Sequence, residues 1–307
     1  MLKLALRRVA ALIPTLLIIV TVSFAIIRLA PGGPFDEEQG AAPGVRANLE
    51  RLYGLDQPLP VQYLRYVRAL AHGDFGPSLR QRDFTVSELI GRGLPLSAAL
   101  GLCAIALALI TAIPAGIAAA LWRGPAADLA IAAIAALGVA LPSFVIGPLL
   151  ALVFGVHLGW LPVAGWQAGS PRYLVLPVLT LALPLAAAIS RLTRASLLEV
   201  LRTPFVRSAR ARGLGEARVL WHHALRPALL PVASYLGPAI AFVVTGSLVV
   251  EAVFGLPGTG RYLVQGAIDR DYPLVMGMVI VYGALTLLLN LLADLACGWL
   301  DPGTRHE

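Results

Sequence analysis

Six mostly apolar stretches, roughly 9–30, 96–122, 129–154, 173–189, 228–250 and 273–295, run through this chain of 307 residues. Crossing about 30 Å of hydrocarbon takes about 20 residues of helix, because a backbone in lipid must satisfy its own hydrogen bonds. The pattern predicts an all-α integral membrane protein with six transmembrane helices. Composition agrees, with 58% hydrophobic and only 13% charged residues, against about 25% charged in soluble domains. The first stretch follows Lys3, Arg7 and Arg8, as in a secretory signal. Its apolar run is too long for a signal core, Arg28 interrupts its far end, and Pro31 follows Ala30, so it is expected to remain as an anchor helix.

Arginine placement sets the orientation. Net charge is +7, from 24 basic and 17 acidic residues, and Lys3 is the only lysine. Arg191, Arg194, Arg202, Arg207, Arg210, Arg212, Arg218 and Arg226 crowd the segment between the fourth and fifth stretches, against Glu199 and Glu216. Basic short loops stay in the cytoplasm, which predicts that this segment and both termini are cytoplasmic. The loop with Glu251, Arg261, Asp269, Arg270 and Asp271 is near neutral and suits the outer side, as does 155–172. The basic excess thus reads as topology, and no nucleic-acid partner is expected. Cys103 and Cys297 lie in separate apolar runs and read as buried small residues.

Residues 31–95 form an outer segment after the first helix. Val61, Leu64, Val67 and Leu70 follow Pro60 at helical spacing, away from Arg65 and Arg68, which predicts a short amphipathic helix. Thr85 and Glu88 match a capping box opening a helix toward the second span. The segment serves either as a docking surface or lid, or as a helical shoulder packed on the membrane.

The loop 195–227 is too long and too arginine-rich for a plain connector. Thr203 and Pro204 supply a cap and a first-turn proline for a helix over 205–212, which Gly213 and Gly215 break. A second helix is expected over 217–225, with apolar residues at 219, 220 and 224, ended or kinked by Pro227. Ser208, Ala209 and Ala211 are small enough for close approach. Such a protrusion either docks into a cytoplasmic partner or holds anionic lipid while enforcing topology.

The run SARARGL at 208–214 and HALRPALLP at 223–231 resembles the coupling loop of permeases in binding-protein-dependent ATP-driven importers. The family's Glu is absent here and its Pro is displaced to Pro227, departures that look like the peptide-importer branch. RLAPGGPF, LPSF, GWLP and TGSLVVEAVFGLPGTG are also similar to this family, and AHGDFGPS at 71–78 points to the B permeases of bacterial oligopeptide importers. The resemblance implies a single transmembrane domain over 1–307, with a core permease at 96–295, in the bacterial cytoplasmic membrane. It implies Arg207, Ser208, Ala209, Arg210, Ala211, Arg212, Gly213 and Leu214 as the ATPase-coupling loop. It also implies a second homologous permease subunit, two cytoplasmic ATPase subunits carrying ATP and Mg, and an external peptide-binding protein. Peptide is the implied substrate. Permeases for nickel, glutathione and sugar acids share the framework and are the alternative.

A phosphate-binding loop needs a Gly-Lys-Ser/Thr sequence, and Lys3 cannot provide it, so this chain is expected to hydrolyse no ATP and to bind no cofactor. Gly258-Thr259-Gly260 has no strand before it and reads as a turn after the fifth span. Adjacent His222 and His223 point about 100° apart on a helix and cannot clasp one metal, while His72 and His157 are isolated. Glu251, Asp294 and Asn290 are the candidate pore or gating residues, since polar groups near hydrocarbon are expensive. Snorkelling or interhelical bonding are their other uses, and Arg28 shares the first. An ion-coupled secondary transporter, which calls for mid-membrane charge and two similar halves, and a subunit without its own pore are the rival classes.

Overall fold

The computed structural model describes residues 2–29, 54–81, 83–121 and 141–300, and these are helical apart from turns and one isolated bridge between Pro77 and Thr85. The helices are α1 (Leu2–Leu29), α2 (Leu59–Ala71), α3 (Val86–Leu121), α4 (Ser143–Leu150), α5 (Arg172–Val200), α6 (Pro204–Ala211), α7 (Glu216–Arg218), α8 (Leu225–Phe254), α9 (Thr259–Ile268) and α10 (Tyr272–Leu300). Two π-helical stretches join them, Ala151–His157 after α4 and Val219–Ala224 between α7 and α8.

Among the described residues four helices are long and apolar enough to cross a membrane: Ala10–Leu29 of α1, α3, α5, and Tyr272–Ala293 of α10. Helix α8 runs for 30 residues, and Ser143–His157 forms a shorter apolar helix. The first part of the expected third span, 129–140, lies outside the described residues. The expected fourth span at 173–189 proves to be the first part of a helix of 29 residues that continues to Val200. Loss of apolarity marks the edge of hydrocarbon and not the end of a helix, and α5 keeps burying Thr193, Ser196 and Leu197 beyond it.

The chain forms two compact units. One comprises Met1–Arg8, Ala98–Leu256 and Thr286–Glu307; the other comprises Val9–Ser97 and Pro257–Leu285. In the first unit α5 and α8 pack along each other, with α4 against both. Gly116 brings α3 close to α5: a Cβ there would lie 2.6 Å from Thr193 Cβ and 2.7 Å from the Ser190 carbonyl. Backbone approach of this kind is how helices gain contact in lipid, where burial from water drives nothing. Cys103 is exposed, contrary to the buried position expected, because an apolar run on such a helix can face lipid as readily as protein.

In the second unit the start of α3 packs on α10 through Val86, Leu89, Ile90, Leu274 and Met278. The capping box forms as expected, with the Thr85 amide donating to Glu88 Oε2 at 2.8 Å and the Glu88 amide donating to Thr85 Oγ1 at 3.2 Å. It opens one continuous helix of 36 residues that carries Pro95 in its interior. Ser97 and Thr259 are buried, with the Thr259 amide donating to Ser97 Oγ at 3.0 Å and the Thr259 hydroxyl bonded to Tyr282. Gly258 is the N-cap of α9, in the turn expected there.

Asp271 is buried at the junction of α9 and α10, where it accepts from the Ser78 hydroxyl, from the Arg80 amide at 3.3 Å and from the Leu274 amide at 3.3 Å. Arg80 Nε also reaches the Asp269 carbonyl at 2.9 Å. These bonds strap residues 78–80 to the head of α10.

Helix α2 forms where expected, with Arg65 and Arg68 exposed. Leu59, Val61 and Leu64 are exposed, while Gln62 is buried. The stripe is thus divided: Val61 and Leu64 are exposed, while Val67 and Leu70 are half-buried.

Candidate coupling site

The arginine-rich loop is built on a small core of its own. Helix α6 has Thr203 at its N-cap and Pro204 at its first position, where a missing N–H costs nothing. The Thr203 hydroxyl does not cap the helix as expected; it donates back to the Val200 carbonyl at 2.5 Å, closing the turn out of α5. Every third residue of α6 turns inward: Val206 and Ala209 are fully buried against Leu197 and Leu201 of the α5 end, Val219 and Ala224 of the π stretch, Ala228 of α8 and Ala120 of α3. An eight-residue helix is unstable alone, so this packing holds it. Ala209 is thereby spent on the interior, while Ser208 and Ala211 remain exposed.

The helix ends in a Schellman motif. The Gly213 amide donates to the Arg210 carbonyl at 2.9 Å and the Leu214 amide to the Ala209 carbonyl at 3.4 Å. Gly213 takes φ +80°, a left-handed conformation that glycine adopts without penalty. Leu214 then folds back on the same core. Arg210 grips Glu216 across the turn through two parallel bonds, Nε to Oε1 at 2.8 Å and Nη2 to Oε2 at 3.0 Å. The bond to Glu216 raises the Arg210 pKa, so its charge is constant at any physiological pH. Arg207 and Arg212 stand exposed on the outward face.

The second expected helix is corrected in one respect. Pro227 does not end it: Glu216–Arg218, the π stretch and α8 form one uninterrupted helical run. A proline has no N–H for the carbonyl four residues back, and its ring crowds that carbonyl. Widening to i→i+5 spacing over 219–224 is the adjustment that precedes it. The widened turn leaves Trp221 61% exposed, and Phe205 at the start of α6 is 47% exposed. These two aromatics were not singled out in the sequence, because neither falls on an apolar stripe; that displacement was itself the available signal.

The candidate coupling residues thus lie on one protrusion, and the candidate pore residues lie elsewhere. Glu251 is fully buried in the last turn of α8, enclosed by its own chain. Asn290 sits in α10 beside α8, its Oδ1 3.1 Å from where a Cβ on Gly237 would stand, an interhelical position. Asp294 lies in α10, and its side chain is outside what the structure describes. His72 and His157 each bond a carbonyl of the preceding turn, at 2.8 and 3.0 Å. Among the described residues no group of three His, Cys, Asp or Glu could hold a metal.

Residues 112–306 match the family described as binding-protein-dependent transport system inner membrane component, and residues 1–83 match the N-terminal model of the same kind of membrane component. The chain belongs to that family. It is 47% identical over 306 residues, covering 100% of both chains, to the oligopeptide transport system permease protein OppB of Salmonella typhimurium. It is 41% identical to the dipeptide transport system permease protein DppB of Bacillus subtilis, with 96% of each covered. It is 38% identical to the glutathione transport system permease protein GsiC of Salmonella paratyphi A over the full length of both. The chain is therefore a multi-pass permease of the inner membrane.

Proposed function

We propose that this chain is one of two permease subunits in an ATP-binding-cassette importer that passes oligopeptides or dipeptides from an external binding protein to the cytoplasm by alternating access. The observation that carries the proposal is the coupling protrusion: a basic, aromatic-tipped helix whose buried face is shared by the end of α5 and the start of α8. ATP and Mg act on two cytoplasmic ATPase subunits that grip this protrusion, and their closure pushes α6. Because Val206 and Ala209 share one core with Leu197, Leu201 and Ala228, the push moves the ends of α5 and α8 together. Six membrane spans with both termini cytoplasmic complete the reading and put α6 on the ATPase side. Peptide as cargo is supported by full-length similarity to oligopeptide and dipeptide permeases. The similarity to a glutathione permease makes that tripeptide the competing cargo.

The test is uptake by proteoliposomes containing the assembled transporter and its binding protein. ATP-dependent accumulation of a labelled tetrapeptide, resisted by excess glutathione, is the expected result. Uptake that persists without ATP refutes the importer, and uptake of glutathione alone refutes the oligopeptide assignment.

A further inference from the structure

A set of polar groups that coupling leaves unused gathers at the C-terminal end of α1. Helix α2 packs there through Tyr63, whose hydroxyl bonds Thr21 at 2.7 Å and whose ring meets Phe24 edge-on at 5.4 Å. Beside this contact lies a cavity of about 340 Å³, within the range of small-ligand sites. Arg28, Gln62, Arg65, Tyr66, Asp74 and Tyr272 supply its polar lining.

Three atoms of that lining are buried without a hydrogen-bond partner: Arg28 Nε, Gln62 Oε1 and Tyr66 Oη. Native proteins rarely leave such groups unsatisfied, and each calls for an explanation. Gln62 is the clearest. It is 8% exposed, and its amide nitrogen is used by the carbonyls of Leu55 at 3.0 Å and Gln57 at 2.7 Å, so its oxygen is the atom left over. Arg65 is engaged by Gln57 Oε1 at 2.7 Å, and the Asp74 carboxylate accepts the Gly76 amide at 2.8 Å. Those two charges oppose each other, and Arg28 leaves the lining net positive.

The unused set is one cationic donor, one hydroxyl and one acceptor. A guanidinium and a phenol suit the oxygens of a phosphate; the Gln62 oxygen needs an N–H or O–H next to it. The position fits a lipid source. Arg28 is the last residue but one of an apolar span, the depth at which headgroup phosphates lie. Ile26 and Leu29 of α1 and Leu59, Val61 and Leu64 of α2 present exposed apolar surface from the same two helices.

We propose that this cavity binds a phosphate group that carries a neighbouring hydrogen-bond donor, the chemistry of a phosphoethanolamine or phosphoglycerol headgroup. Arg28 and Tyr66 donate to the phosphate oxygens, and Gln62 Oε1 accepts from the amine or hydroxyl. The source is a membrane lipid or a soluble phosphate ester of the same chemistry.

The test uses the assembled transporter, stripped of lipid by detergent exchange and examined by native mass spectrometry while phosphatidylethanolamine, phosphatidylcholine or glycerophosphoethanolamine is added back. Phosphatidylethanolamine is expected to bind at least tenfold more tightly than phosphatidylcholine, whose quaternary ammonium has no proton to donate. Tyr66→Phe, which removes one oxygen, should weaken binding at least threefold, and Arg28→Gln with Tyr66→Phe at least tenfold, at unchanged thermal unfolding of the complex. Displacement of the lipid by glycerophosphoethanolamine at equal concentration assigns the soluble source. If Arg28→Gln does not assemble, Tyr66→Phe alone decides. Equal affinity of wild type and Tyr66→Phe, equal binding of the two lipids, or a site that takes up neither lipid nor ester overturns the proposal.

Discussion

Replacing Gly213 by alanine adds one methyl group that meets no atom within 4 Å, yet it sits at φ +80°. The cost is therefore conformational and not steric. An L-residue in the left-handed region is disfavoured by about 1–2 kcal/mol, and asparagine by less. That difference changes the population of the turn by about 5–30-fold. The turn places Leu214 on the core and aligns Arg210 with Glu216, so losing it slackens the connection between α6 and α8 while both helices persist. A graded series Gly213→Asn, Gly213→Ala and Gly213→Val should leave membrane insertion unchanged. It should progressively lower the peptide transported per ATP hydrolysed by reconstituted transporter, with valine worst because β-branched residues tolerate positive φ least. Wild-type uptake and substrate-stimulated hydrolysis in Gly213→Val would refute the reasoning.

Phe205→Ala and Trp221→Ala remove exposed aromatics, so they should shift stability by less than about 0.5 kcal/mol. Each should nonetheless weaken ATPase association about tenfold or more by pull-down titration. Val206→Ala empties part of a fully buried site and should cost about 2 kcal/mol, seen as faster amide exchange confined to 201–228. Glu216→Gln breaks an exposed ion pair worth less than about 1 kcal/mol; its effect on ATPase coupling should shrink as salt rises. Asp271→Ala deprives Ser78, Arg80 and the head of α10 of an acceptor. A loss of about 1–3 kcal/mol is expected, measured as thermal stability, with Asp271→Asn milder.

What was legible in the sequence follows from where local rules act. Thr85 and Glu88, Pro204, and Gly213 obey short-range rules of capping and turn geometry, and the structure has all three in those positions. The orientation of apolar faces was harder to read. Lipid tails are as apolar as a leucine core, so the spacing of Val61, Leu64, Val67 and Leu70 establishes a stripe without saying which side is protein; α2 exposes Val61 and Leu64, half-buries Val67 and Leu70, and buries Gln62. Cys103 failed for the same reason. Pro95 and Pro227 lie inside continuous helices, because neighbouring helices and a π turn absorb what would end a helix in water. Asp271 drew notice only as one charge of a loop; nearly 200 residues separate it from Ser78, beyond the reach of any local pattern.

Under the proposed coupling role, the protrusion shows why a short helix can work as a lever. Helix α6 has too few residues to hold its own shape, so it can transmit a displacement only if its inward face is fixed to what must move. That face is Val206 and Ala209, both fully buried, and their neighbours are the last turn of α5 and the first turn of α8. Arg207, Arg210 and Phe205 of α6 are exposed, as is Trp221 of the π turn. The proposal thus gives grip and transmission to different residues. Phe205 or Trp221 variants should fail at association while keeping a rigid loop. Val206 variants should associate and then fail to pass the motion on, and a single phenotype shared by both classes would argue against a lever.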